Sequence, residues 1–420
     1  MTLGILIPEF PGQTHIFYLR QLEALEELGI VAEVVSTRRP IDLVNIHTTR
    51  TKWSQGAQYL LPPTGGAVVQ TLLELLKSGP KKWLKYIRIV FAMREIPWRE
   101  RIRILGFSLP GAHIAWLARK KGWKHLHVHS CANSAFIALA AHILFGVRYS
   151  LTLHGPLDDY GPVQREKWKH AEFAIVITQL LKKEVRKKLG KDVPKLLEVA
   201  PMGVDIENWK RTVPYQPWQG IGSFWIVSCG RLHPAKGHHW LIKATDELVS
   251  RGINAKLRIL GEDNTGSGYR HELEKLIDQR NLSKRIELLG AVDELRVKKE
   301  LESCSVFSLA SKSEPLGVAI MEAMAMAVPV VVTEAGGVAE LVAPEQEGIL
   351  VEAESATKLA VALERIARNP DLALQFGVRG RVKVQKEFHI HRSAATLSQC
   401  LRKISISKKS SRGHSLKENA

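Results

Sequence analysis

The chain has 420 residues, 45% of them hydrophobic, which is more than one core usually organises, so two domains are expected. Its four cysteines, Cys131, Cys229, Cys304 and Cys400, stand far apart with no CxxC or Cys/His grouping, which speaks against a zinc site or a disulfide scaffold and suits a reducing cytoplasm. A net charge of +18, from 60 basic against 42 acidic residues, admits nucleic acid, an anionic membrane surface or anionic substrates, and the distribution of charge must choose among them.

Leu3 to Ile7 is an apolar run with no basic region before it, and Pro8 ends it too early for a signal peptide; it reads as a buried first strand. A loop, a helix from about Thr14 to Leu28 closed by Gly29, and a strand from Val31 to Val35 follow. This is the opening of a doubly wound parallel sheet, whose ligands gather at the carboxyl ends of strands. The turn lacks GxGxxG, which weakens a dehydrogenase reading.

Between Lys77 and Arg103, nine basic side chains face only Glu95 and Glu100. Lys81, Lys85 and Arg88 recur on one helical face, and Trp83, Tyr86, Ile87, Val90 and Met93 on the other. Such a basic helix with an aromatic belt is either a membrane-surface element or a solvated helix packed on its own domain. The longest apolar stretch, Ala135 to Val147, contains His142 and is shorter than the roughly 20 residues that span a bilayer, so a soluble or peripheral protein is expected.

A strand and helix in HLHVHSCANSAFIALAAHILFGV lead to YSLTLHGPLDDYG, with His154 at a strand end; Asp158-Asp159 is not a DxD metal motif. Asp205 reads as a turn residue. The stretch from Arg211 to Gly222, rich in proline, glycine and tryptophan, marks a domain boundary. Phe224 to Cys229 then opens a second strand and helix series through the loop GRLHPAKGHHWLIKA, with further strands at Leu257 to Leu260, Ile286 to Gly290 and Cys304 to Leu309. The GxGxxH in GEDNTGSGYRHEL is too weak to carry a dinucleotide site.

SKSEPLGVAIMEAMAMAVPVVVTEAGG, from Ser311 to Gly337, reads as a loop feeding a buried helix that starts near Leu316, with Pro315 in its first turn. Glu314 then sits at the mouth and Glu322 between one and two turns in. The backbone N–H groups of Leu316, Gly317 and Val318 would face the same mouth, an anion site flanked by carboxylates and suited to a phosphorylated ligand that carries hydroxyls. The polar tail from Ser405 is expected to be disordered.

Two glutamates separated by seven residues within SEPLGVAIMEAMA resemble the donor-site motif of glycosyltransferase family 4, in its polysaccharide-biosynthesis (colanic-acid and exopolysaccharide) branch. The resemblance implies a GT-B fold: two Rossmann-like doubly wound α/β domains facing across a cleft, with a nucleotide sugar bound mainly to the second. It implies an acceptor-side domain over 1-212 with a basic helical insertion near 68-120, a nucleotide-sugar domain over 213-387, a helix over 388-404 returning to the first domain, and the tail 405-420.

By the same resemblance Glu322 binds the nucleotide ribose and Glu314 the donor sugar, with Pro315, Leu316, Gly317 and Val318 lining the donor site. The segment EFPGQTHIFYLRQLEAL brings Gly12 to the donor phosphates and places Gln13 and Thr14 on the acceptor side. His154 would lie near the reacting sugar, where an imidazole can hydrogen-bond a hydroxyl or developing charge. Arg231 and Lys236, between Gly230 and Gly237, would contact the diphosphate, whose charge grows as the bond breaks. Leu157 and Met202 depart from the family pattern, which commonly has aspartate and asparagine there.

The expected function is a retaining glycosyltransferase moving a sugar from a UDP- or GDP-type nucleotide sugar to a hydroxyl of a glycan or lipid-linked acceptor in cell-surface polysaccharide assembly. It would be cytoplasmic or peripheral on the inner membrane face, with no cofactor, no essential metal and no specific nucleic acid. Two other readings are a basic nucleic-acid- or membrane-binding protein on a degenerate GT-B fold, and a glycosidase using Glu314 and Glu322 as its carboxylate pair. Carboxylates beside the cations oppose a threading polyanion, and a diphosphate clamp has no use in hydrolysis of a sugar chain.

Overall fold

The computed structural model describes residues 1–12, 16–40, 52–62, 65–263 and 266–415. They form two compact units, Met1–Pro201 with Ser393–Ala420, and Met202–Arg392.

The first unit is built on a parallel seven-stranded sheet. Its strands are β1 (Thr2–Glu9), β2 (Val31–Arg38), β3 (Gln58–Leu61), β4 (His125–Val128), β5 (Tyr149–Leu153), β6 (Ala174–Val176) and β7 (Leu197–Val199), in spatial order β3-β2-β1-β4-β5-β6-β7. Ile5 of β1 pairs with Val34 on one side and His127 on the other. β4, β5 and β6 are buried throughout, as central strands covered on both faces require. The order reverses between β1 and β4, so the loops after these two strands and after β5 define the ligand end of the sheet.

Four helices, Gly65–Lys77, Pro80–Ala92, Trp98–Gly106 and Ser108–Lys121, connect β3 to β4. Tyr86, Val90 and Met93 pack with Ile96 and Ile104 against Phe136, Leu139 and Ile143 of the helix Asn133–Phe145. The Tyr86 hydroxyl donates to the Ile104 carbonyl at 2.7 Å. This corrects the sequence reading of an aromatic belt. Most of that face is interior, while Ile87 turns outward with Leu84 and Phe91.

The second unit carries a parallel six-stranded sheet. It comprises β8 (Phe224–Cys229), β9 (Ala255–Leu260), β10 (Ile286–Gly290), β11 (Val306–Leu309), β12 (Val330–Thr333) and β13 (Gly348–Val351), in order β10-β9-β8-β11-β12-β13. Its switch point lies between β8 and β11. The strands bury Ile226, Leu257, Ile259, Val306 and Val331 against Leu241, Leu248, Leu359 and Leu363 of the flanking helices. The loops that hold Lys236 and Glu314 therefore leave adjacent strands at the ligand end.

The units divide after Pro201, ahead of the proline-rich stretch that marks a boundary at 212 in the sequence. Residues 202–212 are bound to the second unit by partners remote in sequence. The Val204 N–H donates to Phe388 at 2.9 Å, Ile390 returns a bond to Val204 at 3.2 Å, and Arg211 Nη1 reaches the Leu301 carbonyl at 3.0 Å. The last helix, Ile390–Ser415, runs past Ser405, where composition predicts a disordered tail. In the first unit, Gln21 Nε2 donates to Ser393 Oγ at 2.8 Å and Lys403 Nζ lies 3.2 Å from Glu198.

Candidate active site

In the second unit the site is made by two loops that interlock. After β8 the chain runs through Gly230 and Arg231 into a single turn, Pro234–Lys236, whose first N–H groups are met by His233 Nδ1 accepting from Ala235 N at 3.2 Å. Gly237 then has φ +66°, and a Cβ there would sit 1.9 Å from the Ala310 carbonyl oxygen. Only glycine combines that backbone with that approach. The Lys312 N–H donates to the Ala235 carbonyl at 2.8 Å and fixes one loop to the other.

The consequence is a direct ion pair, Lys236 Nζ to Glu314 Oε2 at 2.5 Å, with side chains 20% and 9% exposed. Ser311 Oγ donates to the same carboxylate oxygen at 3.2 Å, and Thr333 Oγ1 anchors Ser311 through its carbonyl at 2.6 Å. The Gly337 N–H holds the Glu314 carbonyl at 3.1 Å. Glu314 is thus positioned from three strand ends: β8 through Lys236, β11 through Ser311 and β12 through Thr333 and Gly337.

The following helix is Val318–Ala325, not one beginning at Leu316. Gly317 precedes it with φ +100°, and the Ile320 side chain occupies the space a Cβ on Gly317 would need, at 2.6 Å. Pro315 therefore lies in the loop rather than the first turn, and Leu316 points into the core, 1% exposed. Of the three amides assigned to an anion site, only Val318 belongs to the helix; Ala319 and Ile320 complete the set without intrahelical acceptors. Glu322 lies farther along this helix, buried. Cys229, at the end of β8, feels both Glu322 and Lys236: burial pushes its thiol up to about 12, the Glu322 charge adds to that and Lys236 opposes it.

Arg231 is exposed on the same loop as Lys236, and its carbonyl accepts from His238 Nε2 at 3.2 Å. Burial lowers His238 to about 4, so it is neutral with its proton on Nε2. Its role is to hold the loop.

In the first unit Gly12 is buried at the end of the β1 loop, and Gln13 and Thr14 lie outside the described residues. His154 follows β5; its Nε2 is 3.1 Å from His129 Nδ1, with the Phe17 and Tyr18 rings 5.3 and 5.5 Å away. Behind it His125, His127 and His129 line one face of the β4 strand and its end. Ser150 Oγ bridges His125 Nε2 and His127 Nδ1, and Thr152 Oγ1 meets His127 Nε2, all at 2.8 Å. Burial lowers His127 to about 3, helped by the neighbouring His125, and holds His129 well below the ordinary range with His127 and His154 adding. His127 and His129 are therefore neutral. Asp158 is exposed and pairs with Lys188 at 2.8 Å, and Asp205 accepts from Glu207 N at 3.0 Å as a turn residue.

His129, Ser311 and Thr333 are the members of these sites that the sequence reading passed over. His129 had a signal, the alternation in HLHVH that puts three imidazoles on one strand face. Thr333 had none, because its contact with Ser311 spans two strands.

Each unit is a doubly wound sheet with polar groups at its switch point, and this pairing on one chain defines a GT-B glycosyltransferase fold. The same architecture occurs in sucrose-phosphate synthase from Thermosynechococcus elongatus, with TM-score 0.73, 20% identity and coverage of 97% of this chain and 100% of that one. It also occurs in Anabaena Alr3699/HepE, solved in complex with UDP and glucose, with TM-score 0.72, 16% identity and coverage of 95% and 99%.

Residues 221–383 match the family described as glycosyl transferases group 1. Over 96% of its length the chain is 27% identical to the whole of an Escherichia coli K12 protein named as a colanic acid biosynthesis glycosyltransferase, WcaL. Over the same share it is 25% identical to the whole of the amylovoran biosynthesis glycosyltransferase AmsK of Erwinia amylovora. Residues 221–383 thus form a group 1 glycosyl transferase domain, the family 4 type that the glutamate motif resembles, and the chain is an enzyme that transfers a sugar.

Proposed function

We propose that this enzyme moves a sugar from a UDP- or GDP-type nucleotide sugar to a hydroxyl of a glycan or lipid-linked acceptor, with retention at the anomeric carbon, in cell-surface polysaccharide assembly on the cytoplasmic side of the membrane. The single observation that carries this reading is the Lys236–Glu314 pair at the β8/β11 switch point, beside the open first turn of the helix Val318–Ala325. The relatives named for colanic acid and amylovoran support the polysaccharide setting, and the neighbour solved with UDP supports a nucleoside diphosphate.

An ammonium has three donors, so Lys236 can keep Glu314 and still meet a phosphate oxygen. Arg231 on the same loop and the amides of Val318, Ala319 and Ile320 would share the diphosphate. As the glycosidic bond lengthens, negative charge accumulates on that leaving group, and groups already in place stabilise it most at the transition state. The departing phosphate takes the proton from the incoming hydroxyl on the same face, which retains configuration without an enzyme nucleophile. Glu314 orients the donor sugar through its hydroxyls and Glu322 the ribose. His154, held by His129, supports the reacting face, and Gly12 approaches the donor phosphates. No metal is assigned a role; the cations and amides take the leaving-group charge.

Turnover with a panel of UDP- and GDP-sugars and a lipid-linked glycan acceptor tests this. The expected result is acceptor-dependent release of nucleoside diphosphate and a product whose anomeric configuration, read by NMR coupling, matches the donor. An inverted product, or release indifferent to Lys236, would contradict it.

A further inference from the structure

The helices 65–106 of the first unit bury one apolar face and expose another. Leu84, Ile87 and Phe91 recur at helical spacing on the outward side of Pro80–Ala92, with Phe91 49% exposed. On Trp98–Gly106, Trp98 is 62% exposed and Ile102 one turn on is exposed with it. The helix before them, Gly65–Lys77, packs Ala67 and Thr71 inward and leaves Leu72 and, at 81%, Leu76 in the open. Close to half of the exposed large apolar side chains among the described residues fall in this short stretch. Concentrations of that kind mark surfaces that something covers.

The two later helices are fixed to each other. Arg101 spans the turn, donating to the carbonyls of Phe91 and Ile96 at 3.2 Å each. Lys81, Lys85 and Arg88 lie beside the Leu84, Ile87 and Phe91 stripe, exposed, and no ion pair among the described residues takes them. Arg99 lies over the Trp98 ring, 5.8 Å from its centre.

Charge and shape together select the occupant. A second copy would bring the same cations to the interface and repel. Nucleic acid would satisfy the cations but leave the leucine and isoleucine side chains against phosphate and water. A bilayer of anionic lipid satisfies both, since phosphates meet the cations and the boundary with the acyl chains takes the stripe. Among the described residues no helix is long and apolar enough to cross a membrane, so the contact is superficial.

We propose that the helices 65–106 dock the enzyme on an anionic lipid surface, with Leu84, Ile87, Phe91 and Trp98 entering the headgroup region and Lys81, Lys85 and Arg88 on lipid phosphates. The inference deepens the acceptor half of the functional reading and rests on it for its purpose, but vesicle binding is measured without turnover, so the two can fail separately.

The test is cosedimentation of the full chain with vesicles of phosphatidylcholine alone and of phosphatidylcholine with phosphatidylglycerol. Wild type is expected to bind the anionic vesicles at least about tenfold better. Lys81→Gln, Lys85→Gln and Arg88→Gln should each lower partitioning about fivefold, the equivalent of about 1 kcal/mol per cation. Leu84→Ser with Ile87→Ser and Phe91→Ser should abolish binding, with near-UV circular dichroism and nucleoside diphosphate binding retained because these side chains are outside the core and the donor site. No binding by wild type at low salt, binding unchanged in either set of variants, or a wild-type dimer that the serine variant dissociates without any vesicle binding would each overturn the proposal.

Discussion

The two parallel sheets of this enzyme bring polar groups to their switch points by different means. In the second unit the work is done by backbone proximity: Gly237 fits under Ala310, Lys312 bonds Ala235, and Lys236 is thereby delivered to Glu314. In the first unit it is done by buried side chains, a ladder from His125 through Ser150, His127 and Thr152, with His129 reaching His154. The difference teaches that the second site is charged, preorganised and suited to gripping an anion, whereas the first presents an imidazole, His154, against a buried His129 held well below its ordinary range, suited to touching a reacting sugar. Binding and chemistry should therefore separate by unit.

The sharpest break in that comparison comes from Lys236→Ala. Loss of one preplaced cation at a leaving group lowers kcat/KM by about 100- to 1000-fold. Because the substitution also leaves the buried Glu314 carboxylate without its ammonium, a fall in thermal stability of the second unit accompanies it. Pairing it with Glu314→Gln should recover stability but not turnover, which steady-state kinetics alongside calorimetry would show.

Gly237→Ala should unfold the second unit more easily by about 2–3 kcal/mol, since the loop must leave its left-handed conformation and the Ala310 carbonyl must move. Urea unfolding followed by domain-specific proteolysis would place the loss in residues 202–392 and leave the first unit at its wild-type midpoint.

His154→Ala should lower kcat about 100-fold while leaving nucleoside diphosphate affinity within a factor of two, a split that would sharpen the assignment of chemistry to the first unit. His129→Ala, acting through His154, should cost about tenfold in kcat.

The comparison also extends to stability against pH. Histidines whose folded values are depressed are neutral in the native state, so stability is complete above the unfolded value of about 6.5 and falls as acid protonates the unfolded chain. For His127 the window runs from about 6.5 down to about 3, and for His238 to about 4. The slope is about 1.4 kcal/mol per pH unit for each histidine. The first unit holds His129 as well as His127, so its midpoint should drop faster than that of the second between pH 6.5 and 4. Equal acid sensitivity of the two units in chemical denaturation would contradict this.

That the Lys236 and Glu314 loops meet in the second unit was legible in the sequence, and the reason is physical. A loop that packs its backbone on a neighbouring loop requires glycine at fixed spacing, and GRLHPAKG and SEPLG display that spacing openly. The helix start was misplaced by two residues because Pro315 imitates a first turn, whereas Gly317, in a left-handed conformation, is where the chain bends. In the first unit the sequence reading named Gly12, Gln13, Thr14 and His154, but not what holds His154 in place. Its support by His129 depends on a neighbouring strand, and the HLHVH alternation becomes meaningful only once β4 and β5 are known to pair. The helix Pro80–Ala92 shows another limit. Both of its faces carry apolar residues, and composition cannot say that Tyr86 and Val90 go inward while Leu84 and Phe91 stay out. The boundary after Pro201 was equally hidden, since Val204 is claimed by Phe388 and Ile390 from the far end of the unit.

The central claim is that Arg231, Lys236 and the amides of Val318, Ala319 and Ile320 bind a diphosphate. It is tested most directly by titration calorimetry of UDP and GDP, with uridine and guanosine as controls, on wild type and on Lys236→Ala. The account predicts that the matching nucleoside diphosphate binds wild type at least about tenfold tighter than the variant, while the nucleoside without phosphates binds both equally. Equal affinity of the diphosphate for both proteins would contradict it.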